Sequence, residues 1–350
     1  MNGPAAKPVA PAKPKPAAKP KAKPKAKATV AGKTNKPSET LVKAVVPDDK
    51  GEWISPDKGS EHVITKDPTF PKIVCKIKLA EQVPVEWSWK ISWEAKVSGL
   101  KNSAKRGSVV ETFKAEGKVK DCDKDECTVD LGGQILGGIL TVTAIAGGNT
   151  FQRSFIVKAE NPTKEAVSAD LATIANTKGF DKVLEQESRW THIIAADGQP
   201  VVAFDKGYGI TQITNPKPTY EQVWNWKKNL RAGTTLFQTK QKEATAYLTA
   251  KGRTATDRQI ELETLTRWNG GTYHVWDEST KQWVRKKNIL CDPATSNIAW
   301  DTNNEKNSGK TVDELHKRDA DEYKSGKKGQ TADHPWQYSG VCYVEHMEGM

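Results

Sequence analysis

The sequence predicts a multidomain α+β protein: a disordered tail, then a β-sandwich, then a mainly α-helical region. Three observations carry that reading. The first 37 residues are dominated by lysine, alanine and proline, with no recurring large apolar residue, so no core can form there. Between residues 72 and 158 apolar residues recur with a period of two, as half-buried strands require. Beyond residue 163 the apolar spacing becomes three and four, as amphipathic helices require. The expected domains are residues 1–43, 44–160 and 161–350, a division that suits a chain of 350 residues.

Ten lysines (7, 13, 15, 19, 21, 23, 25, 27, 33 and 36) precede the first acidic residue, Glu39. The formal net charge is +11, and subtracting those ten leaves +1. The folded part is therefore nearly neutral. Nucleic acid is not expected as its partner, because only the tail has the charge to hold phosphates. The tail fits two roles equally: an electrostatic tether to an anionic polymer, or a solvated, partly polyproline II linker. It lacks the apolar central region of a signal peptide.

In the second region Ile73, Cys75, Ile77 and Leu79 alternate with Lys72, Val74, Lys76 and Lys78. Val85, Trp87, Trp89, Ile91, Trp93, Ala95 and Val97 then alternate with polar or charged residues. Further strand-like runs cover 108–115, 127–131, 139–146 and 150–158, and this spacing predicts an immunoglobulin-like sandwich. All three tryptophans share the face that alternation buries, so they read as core before they read as a sugar-binding row. Residues 131–152 carry no charge and have the length of a membrane span, but six glycines and the period-two pattern make them a hairpin. No membrane span is expected.

Asn161-Pro162-Thr163 marks the change to helical spacing. Helices are expected around Leu171–Ala175, over 180–190, over 220–230, over 236–248 and from Ile260 to a stop at Gly270-Gly271. Residues 191–216 read as loop or short hairpin, 272–288 as a second hairpin, and 311–324 as a charged helix. Cys122 and Cys127 are placed to close a small ring, and Cys291 and Cys342 to staple the C-terminal segment. That leaves Cys75 as a buried thiol, an arrangement that suits an oxidising space.

The chemistry centres on 180–190. Phe180, Val183, Leu184 and Glu187 fall at i, i+3, i+4 and i+7, on one helix face. A carboxyl on a buried stripe is costly to ionise, which is what a general acid needs near neutral pH. Glu185 points the other way and reads as a solvated charge. After Glu187-Ser188 come Gly207-Tyr208-Gly209-Ile210-Thr211-Gln212, then Asn229-Leu230-Arg231-Ala232-Gly233, then Trp268-Asn269-Gly270-Gly271.

These four motifs, in this order, resemble those of the lytic transglycosylase and goose-type lysozyme superfamily. The resemblance spans roughly residues 163–346, about half the chain. Asn229 and Gly233 match the turn of the family's next helix. Thr211 stands where methionine is usual. Trp268 stands where a tyrosine commonly bonds the catalytic glutamate, so either another group holds Glu187 or its pKa differs. The resemblance implies a lysozyme-like fold and peptidoglycan as substrate, cut at the β-1,4 bond between N-acetylmuramic acid and N-acetylglucosamine; no cofactor is expected, and no metal, since the competing metal reading of Cys122-x4-Cys127 has no second cysteine pair and no nearby histidine. Glu187 would be the catalytic acid. Ser188, Gln212 and Asn269 would orient it and the substrate's acetamido group, Gly209 would let the backbone approach closely, and Tyr208 and Trp268 would stack on sugar rings.

Two outcomes are compatible with these residues. Lytic transglycosylation needs no second protein carboxylate, since the muramic 6-hydroxyl attacks and leaves a 1,6-anhydro end. Hydrolysis needs a base for water, for which Asp197 and Asp205 are candidates, although Asp197-Gly198 and Asp205-Lys206-Gly207 also read as turns. The expected setting is an antibacterial effector acting in the periplasm or wall of a target bacterium. Residues 1–160 would engage a contractile secretion machine or phage particle, and an immunity protein would inhibit the enzyme. A phage lysozyme, a non-catalytic wall-binding protein and a tail-driven nucleic-acid binder are the alternatives.

Overall fold

The computed structural model describes residues 46–98, 107–122, 124–324 and 331–349, and the expected tail lies outside them. Strands β1 (Trp53–Ser55), β2 (Glu61–Ile64), β3 (Val74–Ile77), β4 (Val85–Lys96), β5 (Val109–Lys118), β6 (Glu126–Thr128), β7 (Gly138–Ala146) and β8 (Asn149–Ala159) come first. They form a five-stranded sheet of order β2-β8-β7-β4-β5 and a three-stranded sheet of order β1-β3-β6. Pairing is antiparallel except between β2 and β8, which are parallel. The uncharged stretch is the β7–β8 hairpin, with Gly147 and Gly148 at its turn, both at positive φ.

Alternation decides which face is inside. Every second residue of β4 is buried from Val85 to Ala95, so Trp87, Trp89 and Trp93 are core. Buried residues of both sheets belong to one cluster, and Trp53 of the small sheet meets Trp87 of the large one edge-on at 6.0 Å. Each such side chain contributes on the order of 2 kcal/mol by burial.

Helices and small sheets follow: α1 (Lys164–Ala172), α2 (Phe180–Ser188), β9 (Ile193–Ile194), β10 (Gln199–Pro200), α3 (Tyr220–Trp224), α4 (Trp226–Thr249), α5 (Asp257–Asn269), β11 (His274–Asp277), β12 (Gln282–Arg285), β13 (Ile289–Cys291), β14 (Ile298–Asp301), α6 (Val312–Lys324), β15 (Trp336–Tyr338) and α7 (Gly340–Glu348). The fold is thus mixed α+β, and the mainly helical part carries several two- and three-stranded sheets of its own. Spacing alone puts a helix boundary between 230 and 236, but the break falls at Asn225. Its side chain accepts from the N–H groups of Lys227 and Lys228 and starts α4 there. Asn229 and Gly233, matched to a turn by motif, lie inside α4.

The β region and the helices share a core. Trp93 and Phe113 meet Trp224, Tyr208 and Tyr220, with ring centroids 5.3 to 5.9 Å apart. Trp93 Nε1 donates to Gln199 Oε1 at 2.8 Å, and the Tyr220 hydroxyl donates to the Gly137 carbonyl at 2.7 Å. Gly137 is glycine for a steric reason: a Cβ there would lie 2.2 Å from the Trp224 ring.

Both expected disulfides are present, Cys122–Cys127 and Cys291–Cys342, and Cys75 is a buried free thiol. Among the described residues no helix is long and apolar enough to cross a membrane.

Candidate active site

Phe180, Val183 and Leu184 are fully buried, and Glu187, one turn on, is only half-buried at the end of the same stripe. Glu185 is exposed and meets Lys164 and the Trp190 indole N–H. Directly after Ser188, Arg189 (φ 52°) and Trp190 (φ 61°) both take left-handed backbone. For two successive non-glycine residues this costs on the order of 1 kcal/mol or more each.

The turn expected to face Glu187 is built from buried polar contacts. Ser188 Oγ donates to the Ile210 carbonyl at 2.7 Å and lies 3.1 Å from the Leu184 carbonyl. It is buried, so it joins α2 to the turn and does not reach outward to a substrate. Asn229 Oδ1 accepts from the Thr211 N–H and hydroxyl, and its Nδ2 donates to the Tyr208 carbonyl. That explains threonine at 211 beside Gly233, where a Cβ would lie 2.5 Å from the Thr211 methyl. His192 Nδ1 accepts from the Ile210 N–H at 3.0 Å. Complete burial holds the ring's pKa down to about 3, against a smaller opposing effect of the Val223 backbone, so it stays a neutral acceptor. Gly209 (φ 66°) admits no side chain, because a Cβ would lie 2.5 Å from His192.

Several expected roles change. Tyr208 is 1% exposed, its ring edge-on to Phe113 at 5.6 Å. It cannot stack on a sugar, because it belongs to the core shared with the β-sheet. Trp268 sits edge-on to Phe180 at 5.4 Å and tilted against Phe237 at 6.3 Å, so its ring packs under α2. Gln212 (φ 50°) turns its Nε2 back onto the Gly209 carbonyl at 2.6 Å. Asn269 is exposed at the end of α5. Asp197 accepts from the Gln199 N–H in the β9–β10 turn, and Asp205 accepts from the Gly207 N–H in the next turn. The first turn abuts β8, where a Cβ on Gly198 would lie 2.8 Å from Lys158, and in the second Lys206 approaches Glu111 of β5 at 3.8 Å. Both aspartates are therefore turn residues on the side that meets the β region.

The hydroxyl that Trp268 lacks comes from Tyr343. Its Oη donates to Glu187 Oε1 at 2.6 Å. The tyrosine is buried; burial first, then the Glu187 charge and this hydrogen bond, push its pKa well above the usual value. It therefore remains a donor at any working pH and fixes the rotation of the Glu187 carboxyl.

Tyr343 lies on α7, and α7 is tied on every side. Gly340 packs so closely that a Cβ would lie 2.3 Å from the Gly270 carbonyl, directly after Asn269, which brings the end of α5 beside the start of α7. Cys342 is bonded to Cys291 of β13. Glu345 pairs with Arg285 and accepts from the Tyr273 hydroxyl. Glu348 pairs with Lys182 of α2 at 2.6 Å and Arg258 of α5 at 2.6 Å.

No protein-family model matches this chain, and no curated protein does.

Proposed function

We propose that the chain is a peptidoglycan-cleaving glycosidase acting on the β-1,4 bond between N-acetylmuramic acid and N-acetylglucosamine, by lytic transglycosylation. The observation that carries this reading is the Tyr343–Glu187 hydrogen bond: a half-buried carboxyl ending an otherwise apolar helix face, held by a buried phenol. Glu187 in its acid form donates its proton to the glycosidic oxygen. The oxocarbenium-like centre is stabilised by the substrate's acetamido group. The carboxylate then accepts the proton of the muramic 6-hydroxyl as that oxygen bonds to C1, which closes the 1,6-anhydro ring without water. Asn269 contributes an amide contact to the sugar, and Ser188, Gln212, Asn229 and His192 hold the turn. Hydrolysis is disfavoured by the turn-bound positions of Asp197 and Asp205.

In this reading the helical part is lysozyme-like and the β part immunoglobulin-like. Two disulfides suit an oxidising site of action such as the periplasm or wall of a target bacterium. An antibacterial effector carried there by a contractile machine or phage particle, and restrained by an immunity protein, accommodates both.

The test is digestion of purified peptidoglycan by the full chain, with Glu187→Gln as control and products read by mass spectrometry. Anhydro ends that vanish in the variant are expected. Reducing ends would make the protein a hydrolase. Binding to sacculi without new chain ends would make it a wall-binding protein.

A further inference from the structure

We propose that the Cys291–Cys342 disulfide is the positioning device for Tyr343, so that the Glu187 carboxyl is set for chemistry only when these two cysteines are oxidised. This rests on the reading of Glu187 as the catalytic acid and adds its regulation.

Cys342 immediately precedes Tyr343 on α7, and both side chains are buried. The helix has nine residues, and its N-cap, Ser339, makes no side-chain capping bond. A helix that short is marginal without tertiary ties. The charged ties, through Glu345 and Glu348, hold its second half. In the first half, where Tyr343 sits, Val341, Tyr343 and Val344 pack in the helical core and Gly340 abuts Gly270, and the covalent tie across to β13 is the disulfide. Losing it removes the covalent constraint next to Tyr343, so that the aim of the phenol rests on apolar packing alone while the second half keeps its ion pairs.

The bond is also reachable. Cys291 is partly exposed, whereas Cys342 is 3% exposed, so an exchanging thiolate meets the Cys291 sulfur first. Formation joins the two sulfurs and releases two protons and two electrons to a disulfide-form oxidant, which leaves as its dithiol; a dithiol reductant reverses the step. The other disulfide is placed differently. Cys122–Cys127 closes a short ring beside β6, opposite Cys75. Burial, outweighing the nearby Arg153 charge, pushes the Cys75 thiol up to about 12, so it does not exchange readily. The protein would thus be inert in a reducing cytosol and competent after reaching an oxidising space.

The experiment compares four forms of the full chain: oxidised wild type, Cys291→Ser/Cys342→Ser, Cys122→Ser/Cys127→Ser, and Tyr343→Phe. Two quantities are read: the titration of the Glu187 carboxyl by carbon-13 NMR, assigned with Glu187→Gln, and fragment release from peptidoglycan. The Cys291/Cys342 variant is expected to keep its near-ultraviolet circular dichroism, to shift the Glu187 titration in the same direction as Tyr343→Phe, and to lose at least about tenfold in rate, the scale of one hydrogen bond to a charged group. The Cys122/Cys127 variant should match wild type in both. A Glu187 titration and rate unchanged in the Cys291/Cys342 variant overturn the proposal. So does collapse of the whole fold, which would make the bond a general staple; the Cys122/Cys127 variant before and after treatment with a dithiol repeats that comparison without substituting either sulfur. If oxidised wild type releases no fragments, the enzymatic reading fails on its own, and the Glu187 titration still decides the coupling.

Discussion

Two structures meet at the end of α2, and they are held by different physics. On one side the Tyr208–Gln212 turn rests on an apolar core that runs into the β-sheet through Phe113, Trp93 and Trp224. Its internal contacts are neutral: an amide, two hydroxyls and an uncharged histidine. On the other side α7 brings Tyr343 to Glu187 with a disulfide and ion pairs added to its apolar packing. Apolar packing is indifferent to redox state and is not weakened by ionic screening, whereas a disulfide and partly exposed ion pairs are sensitive to these. One wall is built to be permanent and the other to respond to its surroundings.

The largest expected effect lies in the permanent wall. Trp224→Ala removes the ring that fits against Gly137 and Trp93, and should cost about 3–5 kcal/mol. Because the core is shared, chemical denaturation should lower β and helical signals in one transition; two separate transitions would show that the regions are independent. Next, Cys291→Ser/Cys342→Ser should cost about 2–4 kcal/mol by the same measurement, without altering the near-ultraviolet signal of the tryptophans around Trp93.

Acid separates the walls further. The His192 pKa falls from 6.5 to about 3 on folding. The unfolded chain takes up this proton first, so its contribution to stability is intact above pH 6.5 and lost as pH falls from there towards 3. Wild type should lose about 1.4 kcal/mol per pH unit from this group in that window, and His192→Gln should flatten the slope measured by urea titration at pH 7 and pH 5. Glu348 works lower. Burial alone would raise its carboxyl, but hydrogen bonds from Arg258 and Lys182 outweigh it and hold the pKa below 4.5. Its stabilisation is present above that value and fades as pH drops through the lowered one. Glu348→Gln is expected to cost only about 1 kcal/mol at pH 7, and the loss should shrink in high salt. A salt-independent loss would show that packing, not charge, anchors α7.

Local pattern made much of this legible. Strict alternation identified the buried tryptophans of β4, and the i, i+3, i+4, i+7 spacing placed Glu187 on the stripe of α2. The cysteine positions allowed both disulfides, and the structure supplies the pairing. Long-range packing hid the rest. Gly-Val-Cys-Tyr-Val reads as a buried run of no fixed period, and nothing local joins Tyr343 to a carboxyl 156 residues earlier; the missing hydroxyl at Trp268 was the only hint that such a partner existed. Tyr208 looked like a sugar platform because its β-sheet neighbours come from far upstream. Gly233 was matched to a turn by the family motif, whereas here it makes room in α4 for Thr211.

The shared core also sets an order of events during synthesis. All eight strands of the β region leave the ribosome before Trp224 does, so Trp93 and Phe113 wait uncovered while some sixty-five further residues, from 160 to 224, are made. A growing chain with two large aromatic side chains bare on a finished sheet is sticky. Messages cut anywhere in that interval should yield more aggregate than the full-length message. Shuffling this β region onto another catalytic half would carry the same liability unless a replacement for Trp224 came with it.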